Sequence, residues 1–201
     1  AQLLYGNINQ RYEMENSNLL PSFTVNVKTS SGSLDQAHLL PATEEDLPTD
    51  WTFDWLRFWE EADFDCEAFI RLSYAQQTQG LVRFALYPYP FPNDVPEYAE
   101  ILHIQSIEKQ NRQINPVGFW LIWYVVQISF LYCSGDEEGI LVMLDSTVQA
   151  MSYYRDRVIM DGLGWVNLAP GEEGYAFCFK EDSAKSFCER IEREYGSPET
   201  T

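Results

Sequence analysis

The sequence predicts an α/β domain in which helices flank a mixed, mostly antiparallel sheet. Short apolar or alternating runs, which are typical of strands, lie on both sides of one long apolar helix over residues 117–133. No charged residue occurs between Gln113 and Gly135, so this helix has no face for water and must be buried. Of the 201 residues, 45% are apolar. A chain of this length buries roughly 70% of its unfolded surface, so its core needs neither disulfides nor a structural metal.

The first forty residues differ in composition from the rest. Residues 1–40 are largely polar and contain one predicted strand, Phe23–Thr29. We expect an N-terminal extension that packs on the domain or pairs with a neighbouring chain in a homodimer. The main domain then covers residues 41–196, and residues 197–201 form a disordered tail.

The region before the central helix predicts a helix followed by a hairpin. Thr49 or Asp50 is a suitable N-cap for the helix. Its apolar stripe consists of Phe53, Leu56 and Trp59. Two alternating runs, 68–74 and 81–87, lie on either side of a polar turn, and this pattern is typical of an antiparallel hairpin.

The region after the central helix predicts three strands and two helices. The apolar run 139–144 is typical of a buried strand. Asp145 or Ser146 then caps a helix. The apolar face of that helix consists of Val148, Met151, Tyr154 and Val158. Two strands follow around a Pro-Gly turn, and Asp182 caps a final helix that ends at Gly196. The residues that this last helix buries are Ala184, Phe187, Cys188 and Ile191.

The beginning of the central helix is the candidate functional site. A strand over residues 97–107 passes through a polar turn into this helix. The first amides of a helix have no intrahelical partner, and the helix dipole is positive there, so this end favours an anion. The sequence therefore predicts a phosphate-bearing ligand, and a buried helix without a ligand is the alternative. The expected backbone donors belong to Gln113, Ile114, Asn115, Val117 and Gly118.

The segment from Gln113 to Gly118 resembles a known phosphate-binding motif. Gln-Ile-Asn-Pro-Val-Gly is similar to the pattern Gln/Arg-x-x-Gly-x-Gly/Ala of the GNAT superfamily of N-acetyltransferases. Pro116 occupies the place of the first glycine. A register that starts at Arg112 restores the usual spacing from the preceding strand, but both glycines are then lost.

Downstream residues resemble the same family. Ala150, Tyr154 and Gly164-Trp165 are similar to its alanine, tyrosine and closing Gly-Phe, with extra residues between the tyrosine and the glycine. The resemblance implies the acyl-CoA N-acyltransferase fold, with acetyl-CoA or another acyl-CoA as co-substrate and a primary amine as acceptor. A catalytically inactive binding or assembly module of the same fold is the alternative. The implied cofactor-binding residues are Ile107, Gln113, Ile114, Asn115, Val117, Gly118 and Phe119.

Acyl transfer from a thioester needs a base for the amine, a polarised carbonyl and an acid for the leaving thiolate. We expect a bulge over residues 104–107 to direct backbone amides at the carbonyl. Glu108 at the end of the strand is the predicted base, with Glu100 as the alternative. The resemblance implies Tyr154 as the acid, with Tyr153 as the alternative.

The charge of the chain bears on its partners. The net charge is −18 and only four residues are lysine. Duplex nucleic acid is excluded, because its affinity comes from basic groups that neutralise phosphates. We expect a cationic acceptor, such as a polyamine, an aminoglycoside-like amine or a lysine-rich peptide. Lys109 and Arg112 beside the predicted phosphate site would offset the repulsion of an anionic cofactor.

The remaining features predict a soluble cytoplasmic protein. No signal peptide is present in the chain as given, and the 17-residue apolar run 117–133 lies at the lower limit of the roughly 17–25 residues that cross a bilayer. Strands flank this run closely, so we predict no membrane association. The isolated residues His38 and His103 indicate no metal site. Buried free thiols are expected for Cys66, Cys133, Cys178 and Cys188.

Overall fold

A mixed sheet with helices on both faces forms the structure, which is a computed structural model and describes residues 20–201. The strands are β1 (Phe23–Thr29), β2 (Leu34–Pro41), β3 (Glu67–Tyr74), β4 (Gln77–Tyr87), β5 (Tyr98–Ser106), β6 (Ile114–Asn115), β7 (Ile140–Thr147), β8 (Asp161–Ala169), β9 (Glu172–Lys180) and β10 (Glu199–Thr200). The α-helices are α1 (Trp55–Glu60), α2 (Val117–Tyr132) and α3 (Glu181–Tyr195).

Among the described residues the strand order is β10-β1-β2-β3-β4-β5-β7-β9-β8, and β6 also pairs with β1. All of these pairs are antiparallel except β5–β7, which is parallel. The predicted fold class is therefore confirmed. The predicted hairpin is also confirmed: it consists of β3 and β4 joined by Ala75 and Gln76, both of which have positive φ.

Helix α2 forms the centre of the core. It packs on β3, β4, β5 and β7, and its side chains from Trp120 to Val126 are all buried. Helix α3 packs on α2 and β9 through Ala184, Phe187, Cys188 and Ile191, as predicted. Within residues 20–201 no helix has the length and apolar character needed to span a bilayer.

A smaller aromatic cluster on the other face of the sheet includes α1. Trp55 of α1 is fully buried there against Phe69 of β3. The predicted N-cap is wrong, because Asp54 caps the helix. The predicted stripe is wrong for Phe53 and Leu56, which are exposed, whereas Trp59 packs against the cluster as predicted. The helix is only six residues long and begins at Trp55, which places its buried face one position away from the predicted one.

The predicted division at residue 40 is wrong for residues 20–40. Strands β1 and β2 belong to the main sheet, and four of their side chains are buried in the central core. These are Val25, Val27, Ala37 and Leu39. The predicted disordered tail is wrong too, because β10 pairs with β1 and the Thr201 amide donates to the Ser22 carbonyl at 3.0 Å. Pairing between distant segments leaves no local signal in the sequence. Residues 1–19 of the predicted extension lie outside the described residues.

The helix predicted after β7 is present, but it is not a regular α-helix. Residues 148–158 are helical throughout: a 3₁₀ turn over Val148–Ala150 leads through Met151 and Ser152 into a π-helical turn over Tyr153–Val158, and Ile159 with φ 65° ends it. The predicted caps Asp145 and Ser146 lie within β7 instead. Strand β7 pairs with β9 as far as Thr147, so the helical segment begins only at Val148.

Candidate functional site

Strands β5 and β7 diverge. Their parallel pairing is limited to Ala99–Ile101 with Val142–Leu144, although β5 continues to Ser106 and β7 to Thr147. The β7-facing edge of β5 after Ile101 therefore has no ladder partner among the described residues. Unpaired N–H and C=O groups on such an edge can hydrogen-bond an extended ligand.

A bulge lies in β5 where the strands separate. The register between β4 and β5 shifts at Leu102, which has no partner on β4. The predicted position of the bulge, residues 104–107, is therefore wrong. One extra residue at position 102 is enough to bring Ile101 and Ile104 to the core side, and both pack there, as the sequence predicted.

The first turn of α2 has free backbone donors. Pro116 is the N-cap, has no N–H of its own, and makes no side-chain cap. The next three amides have no intrahelical acceptor. Within residues 20–201, no side chain accepts from them either. These are the amides of Val117, Gly118 and Phe119, and we call this end of α2, residues 116–119, the α2 mouth.

The predicted cradle upstream of the α2 mouth is not free. The Gln113 amide donates to Oε1 of Gln79 at 3.0 Å. Ile114 and Asn115 form β6 against β1, and the Ile107 amide donates to the Gln79 carbonyl at 2.9 Å. The expectation of free amides is therefore wrong for Gln113 and Ile107, because distant segments bind them.

Tyr153 is the tyrosine that reaches the α2 mouth. A Cβ placed on Gly118 would lie 2.6 Å from Tyr153 Oη, and the Tyr153 ring lies 5.8 Å from that of Phe119. Tyr154 instead packs against Phe177, with ring centroids 5.9 Å apart, and is 7% exposed. Burial raises the pKa of Tyr154 to about 12. Its predicted role as the acid remains a prediction.

The charges of three arginines act on the Tyr153 hydroxyl. Burial raises the pKa of Tyr153, and the charges of Arg112, Arg157 and Arg190 act in the opposite direction. The Arg190 guanidinium lies over the ring of Phe119 in the α2 mouth, 5.7 Å from its centroid. We call these three arginines the arginine cluster. In the described part of the chain none of them forms a salt bridge, whereas six other basic side chains do. The arginine cluster is thus a set of basic side chains without salt bridges in the described part of a strongly acidic protein.

Hydrogen bonds hold two members of the arginine cluster in place. Arg190 on α3 donates to the carbonyls of Arg157 and Val158 at 2.9 and 2.8 Å. Arg112 donates from Nη2 to the Ile107 carbonyl at 3.3 Å, and its buried Nε has no partner among the described residues. Arg157 is exposed. Guanidinium groups, a hydroxyl and helix amides together form a set of donors that suits a phosphate or diphosphate.

The two candidate bases occupy different environments. Glu108 is exposed beyond the end of β5 and accepts from Gln110. Glu100 lies in β5 beside the parallel pairing, half-buried, on the face opposite α2, because its neighbours Ala99 and Ile101 point into the core. Burial, and then the charge of Asp145, raises the pKa of Glu100.

Comparisons with known proteins identify the fold. No family model and no curated protein matches the chain by sequence. An uncharacterized protein from Bacillus halodurans matches in structure with a TM-score of 0.54 and 10% identity, over 85% of this chain and 97% of that one. A Desulfovibrio desulfuricans protein assigned to the GNAT family of acetyltransferases matches with a TM-score of 0.50 and 9% identity, over 72% and 98%. The chain has the GNAT fold. RimJ of Mycobacterium smegmatis, solved with CoA-disulfide, gives a TM-score of 0.49 at 9% identity, over 85% and 95%.

Sequence reasoning missed two members of the arginine cluster on this GNAT-fold chain. Arg157 and Arg190 lie in separate elements, and only the tertiary structure places them where their charges act, with that of Arg112, on the Tyr153 hydroxyl. The one signal in the sequence is the scarcity of basic residues in an acidic chain, which makes each of them a candidate anion contact. Lys109, also predicted to lie beside the phosphate site, is exposed in the turn after β5. Among residues 20–201 no group of three or more His, Cys, Asp or Glu side chains could hold a metal ion.

Proposed function

We propose that this protein is an acyl-CoA-dependent N-acyltransferase that transfers an acetyl group to a primary amine. The observation that carries the proposal is the arginine cluster at the α2 mouth, next to the divergence of β5 and β7. Such a site suits acyl-CoA. The diphosphate would bind the donors of the arginine cluster and the α2 mouth, and the extended pantetheine arm would pair with the free edge of β5.

Charge supports an anionic ligand at this place. Cationic groups near one another repel, and a bound diphosphate relieves this repulsion. The Tyr153 hydroxyl and the free amides of α2 would add hydrogen bonds to the same anion. The overall charge of −18 repels CoA at long range, so the local cluster has to supply the attraction.

The arm of the ligand would follow β5. Its amide groups can pair with the edge of β5 beyond Ile101, as an added strand does. This path leads from the α2 mouth at the end of β5 towards the bulge at Leu102. The thioester would then lie near the apex of the divergence, which is the point after Ile101 where β5 and β7 separate. Backbone amides of the bulge can polarise the thioester carbonyl there.

The chemical step follows from this placement. The amine nitrogen attacks the thioester carbonyl, the carbon–sulfur bond breaks, and the CoA thiolate takes up a proton. The base that takes up the proton of the amine is Glu100 or Glu108, the residue that the sequence predicts. Glu100 is closer to the apex along β5, and its raised pKa suits a base. The proton for the thiolate comes from Tyr153 or Tyr154.

The acceptor is proposed to be a cationic amine. Glu100 and Asp145 lie on the strands that border the apex, and burial raises the pKa of both carboxyl groups. An ammonium group approaching from the face opposite α2 would be attracted by both. Polyamines, aminoglycosides and lysine-rich peptides present such groups.

Thermal melting with acetyl-CoA tests the cofactor. A ligand that binds only the folded state, at about 100 times its Kd, adds about 2.7 kcal/mol of stability. For a chain of this length the melting temperature should rise by roughly 5–11 °C. The absence of any shift at millimolar acetyl-CoA would refute the proposal.

Two neighbouring arginines provide a matched pair of variants. Arg157→Ala removes a member of the cluster, and we expect a Kd for acetyl-CoA roughly 10- to 100-fold higher, as for the loss of one charged hydrogen bond. Arg155→Ala is the control, because Arg155 is equally exposed in the same turn but pairs with Asp156 at 2.7 Å. Equal effects of the two substitutions would indicate non-specific charge attraction instead of a site.

Turnover is measured as CoA thiol released in the presence of each class of amine. Tyr154→Phe should spare acetyl-CoA binding and lower kcat. Tyr153→Phe removes a donor to the diphosphate, so the Kd for acetyl-CoA should rise about 2- to 12-fold. If kcat falls in this variant and not in Tyr154→Phe, Tyr153 is the acid. Glu100→Gln and Glu108→Gln separate the two bases in the same way.

An inactive GNAT-fold module is the second candidate. It is favoured by two observations: the Gln113 amide already donates to Gln79, and the Tyr153 side chain lies beside Gly118. Both leave less room for a ligand at the α2 mouth. Acetyl-CoA binding without thiol release for any of the three amine classes would support this candidate over the enzyme.

A further inference from the structure

Gln79 in β4 is a fully buried polar side chain next to the α2 mouth. It is 0% exposed. The register of β3 and β4 pairs Leu72 with Gly80 and Ser73 with Thr78, so Gln79 has no partner on β3 and is the extra residue of a β-bulge. Bulges redirect a side chain, and burying an amide is unfavourable unless its hydrogen bonds are made. The position therefore calls for a specific explanation.

The hydrogen bonds of Gln79 go to both ends of one loop. Its backbone carbonyl accepts from the Ile107 amide at 2.9 Å, and its Oε1 accepts from the Gln113 amide at 3.0 Å. Its Nε2 donates to Oε1 of Gln77 at 3.3 Å, and that oxygen also accepts from Nε2 of Gln113 at 2.9 Å. One residue thus fastens the start and the end of the segment 107–113, which connects β5 to α2.

The neighbouring backbone of β4 fixes the first turn of α2. A Cβ on Gly80 would overlap Cγ1 of Val117 and lie 2.9 Å from Cδ1 of Leu121, so helix and strand are in direct contact there. The bulge at Gln79 therefore defines where the loop ends and where α2 begins. The loop carries Arg112, and α2 carries the free amides of residues 117–119.

We infer that Gln79 is a positioning residue for the anion site at the α2 mouth: it holds Arg112 and the free amides of α2 in the arrangement that binds the diphosphate. This inference rests on the proposed function. Gln79 itself touches neither the cofactor nor the reacting atoms. Its effect is to pre-organise donors that would otherwise lose conformational freedom on binding.

Two substitutions test this role. Gln79→Met keeps the size of the side chain and removes the acceptor for the Gln113 amide. We expect the Kd for acetyl-CoA, measured by calorimetry on folded protein, to rise about 10- to 100-fold, as for a small misplacement of binding groups. Gln79→Glu keeps the oxygen acceptor. A carboxyl group buried at this position stays protonated at low pH and can also donate to Gln77, so binding at pH 6 should return to within about threefold of the unmodified protein.

Amide hydrogen exchange provides a readout that does not depend on the cofactor. In Gln79→Met the Gln113 amide should exchange at least about tenfold faster, while the Ile107 amide, bonded to a backbone carbonyl, should change less. Leu39→Val is the control for lost stability, because Leu39 is fully buried in β2, which is separated from β4 by β3. This control should leave the Kd and the exchange of Gln113 unchanged.

The outcomes separate the two hypotheses. Unchanged exchange at Gln113 in Gln79→Met overturns the role of Gln79, and so does faster exchange with an unaltered Kd. If the unmodified protein does not bind acetyl-CoA, the proposed function is wrong and the positioning role is overturned with it. Faster exchange, weaker binding and recovery in Gln79→Glu together support the inference.

Discussion

Gly118 and Tyr153 should be energetically coupled, and a double-mutant cycle measures the coupling. A Cβ on Gly118 would lie 2.6 Å from Tyr153 Oη, closer than atoms in van der Waals contact approach. The next ring atom, Cζ of Tyr153, would lie at 3.5 Å, an ordinary contact. Gly118→Ala should therefore be destabilising with the tyrosine present and tolerated after Tyr153→Phe.

The magnitude follows from two opposing terms. Overpacking a well-filled site costs about 1–3 kcal/mol. Replacing a helical glycine by alanine gains up to about 1 kcal/mol. We expect Gly118→Ala alone to lower the free energy of unfolding by up to about 2 kcal/mol. In the Tyr153→Phe background only the gain remains, so the coupling is about 1–3 kcal/mol, within the range for residues in contact.

Urea unfolding of the four proteins in the cycle, followed by circular dichroism, gives the four free energies. Tyr153→Phe alone should change stability by less than about 0.5 kcal/mol, since among residues 20–201 its hydroxyl makes no hydrogen bond that would be lost. Additive effects, with a coupling below about 0.5 kcal/mol, would refute the reasoning. They would mean that the Tyr153 side chain swings away from the α2 mouth at no cost.

Three further predictions concern charged groups near the candidate site. Arg83 Nε lies 2.6 Å from Glu67 Oε2, and the two side chains are only 10% and 13% exposed. Arg83→Met leaves the Glu67 carboxylate buried without its partner, so the free energy of unfolding in urea should fall by about 3–5 kcal/mol. A fall below about 1 kcal/mol would contradict this. Burial, and then the charge of Arg83, lowers the pKa of His103 from 6.5 to about 4. The unfolded chain therefore binds more protons between these values, so stability should fall as the pH falls from about 6.5 to about 4, and His103→Gln should flatten that part of the curve. Because burial and the charge of Asp145 raise the pKa of Glu100, the acidic limb of the kcat/KM profile should move to lower pH in Asp145→Asn and vanish in Glu100→Gln. If the kcat/KM profile of both variants is the same as that of the unmodified protein, Glu100 is excluded as the base.

Elements with a strong local pattern were predicted correctly. Helix α2 consists of apolar residues without interruption, and α3 has one apolar face, so burial alone specifies both. The alternating strands β3 and β4 were found for the same reason. The helical segment after β7 was also predicted, but its first residue was not, because β7 pairs with β9 as far as Thr147 and pairing between segments thirty residues apart cannot be seen locally.

The candidate site was predicted in position but not in composition. The strand-to-helix junction identified the α2 mouth, and Gly118 lies there as expected. The amide of Gln113 was expected to bind ligand but is held by Gln79, which lies 34 residues earlier. Tyr153 and not Tyr154 reaches the mouth, because the second half of the predicted helix is a π-helical turn, which changes the direction of both side chains.

The sequence by itself determined that a charge-free helix forms the centre of an α/β fold and that an anion site is expected where this helix begins. Periodicity and the free amides of a helix end are local properties, so they can be read from a single segment. Only the tertiary structure decided which donors are free and where β5 and β7 separate. It also placed Arg112, Arg157 and Arg190, which belong to different elements, where their charges act on the Tyr153 hydroxyl. Those features depend on contacts between segments far apart in the chain, and each such contact is chosen by the packing of the whole core.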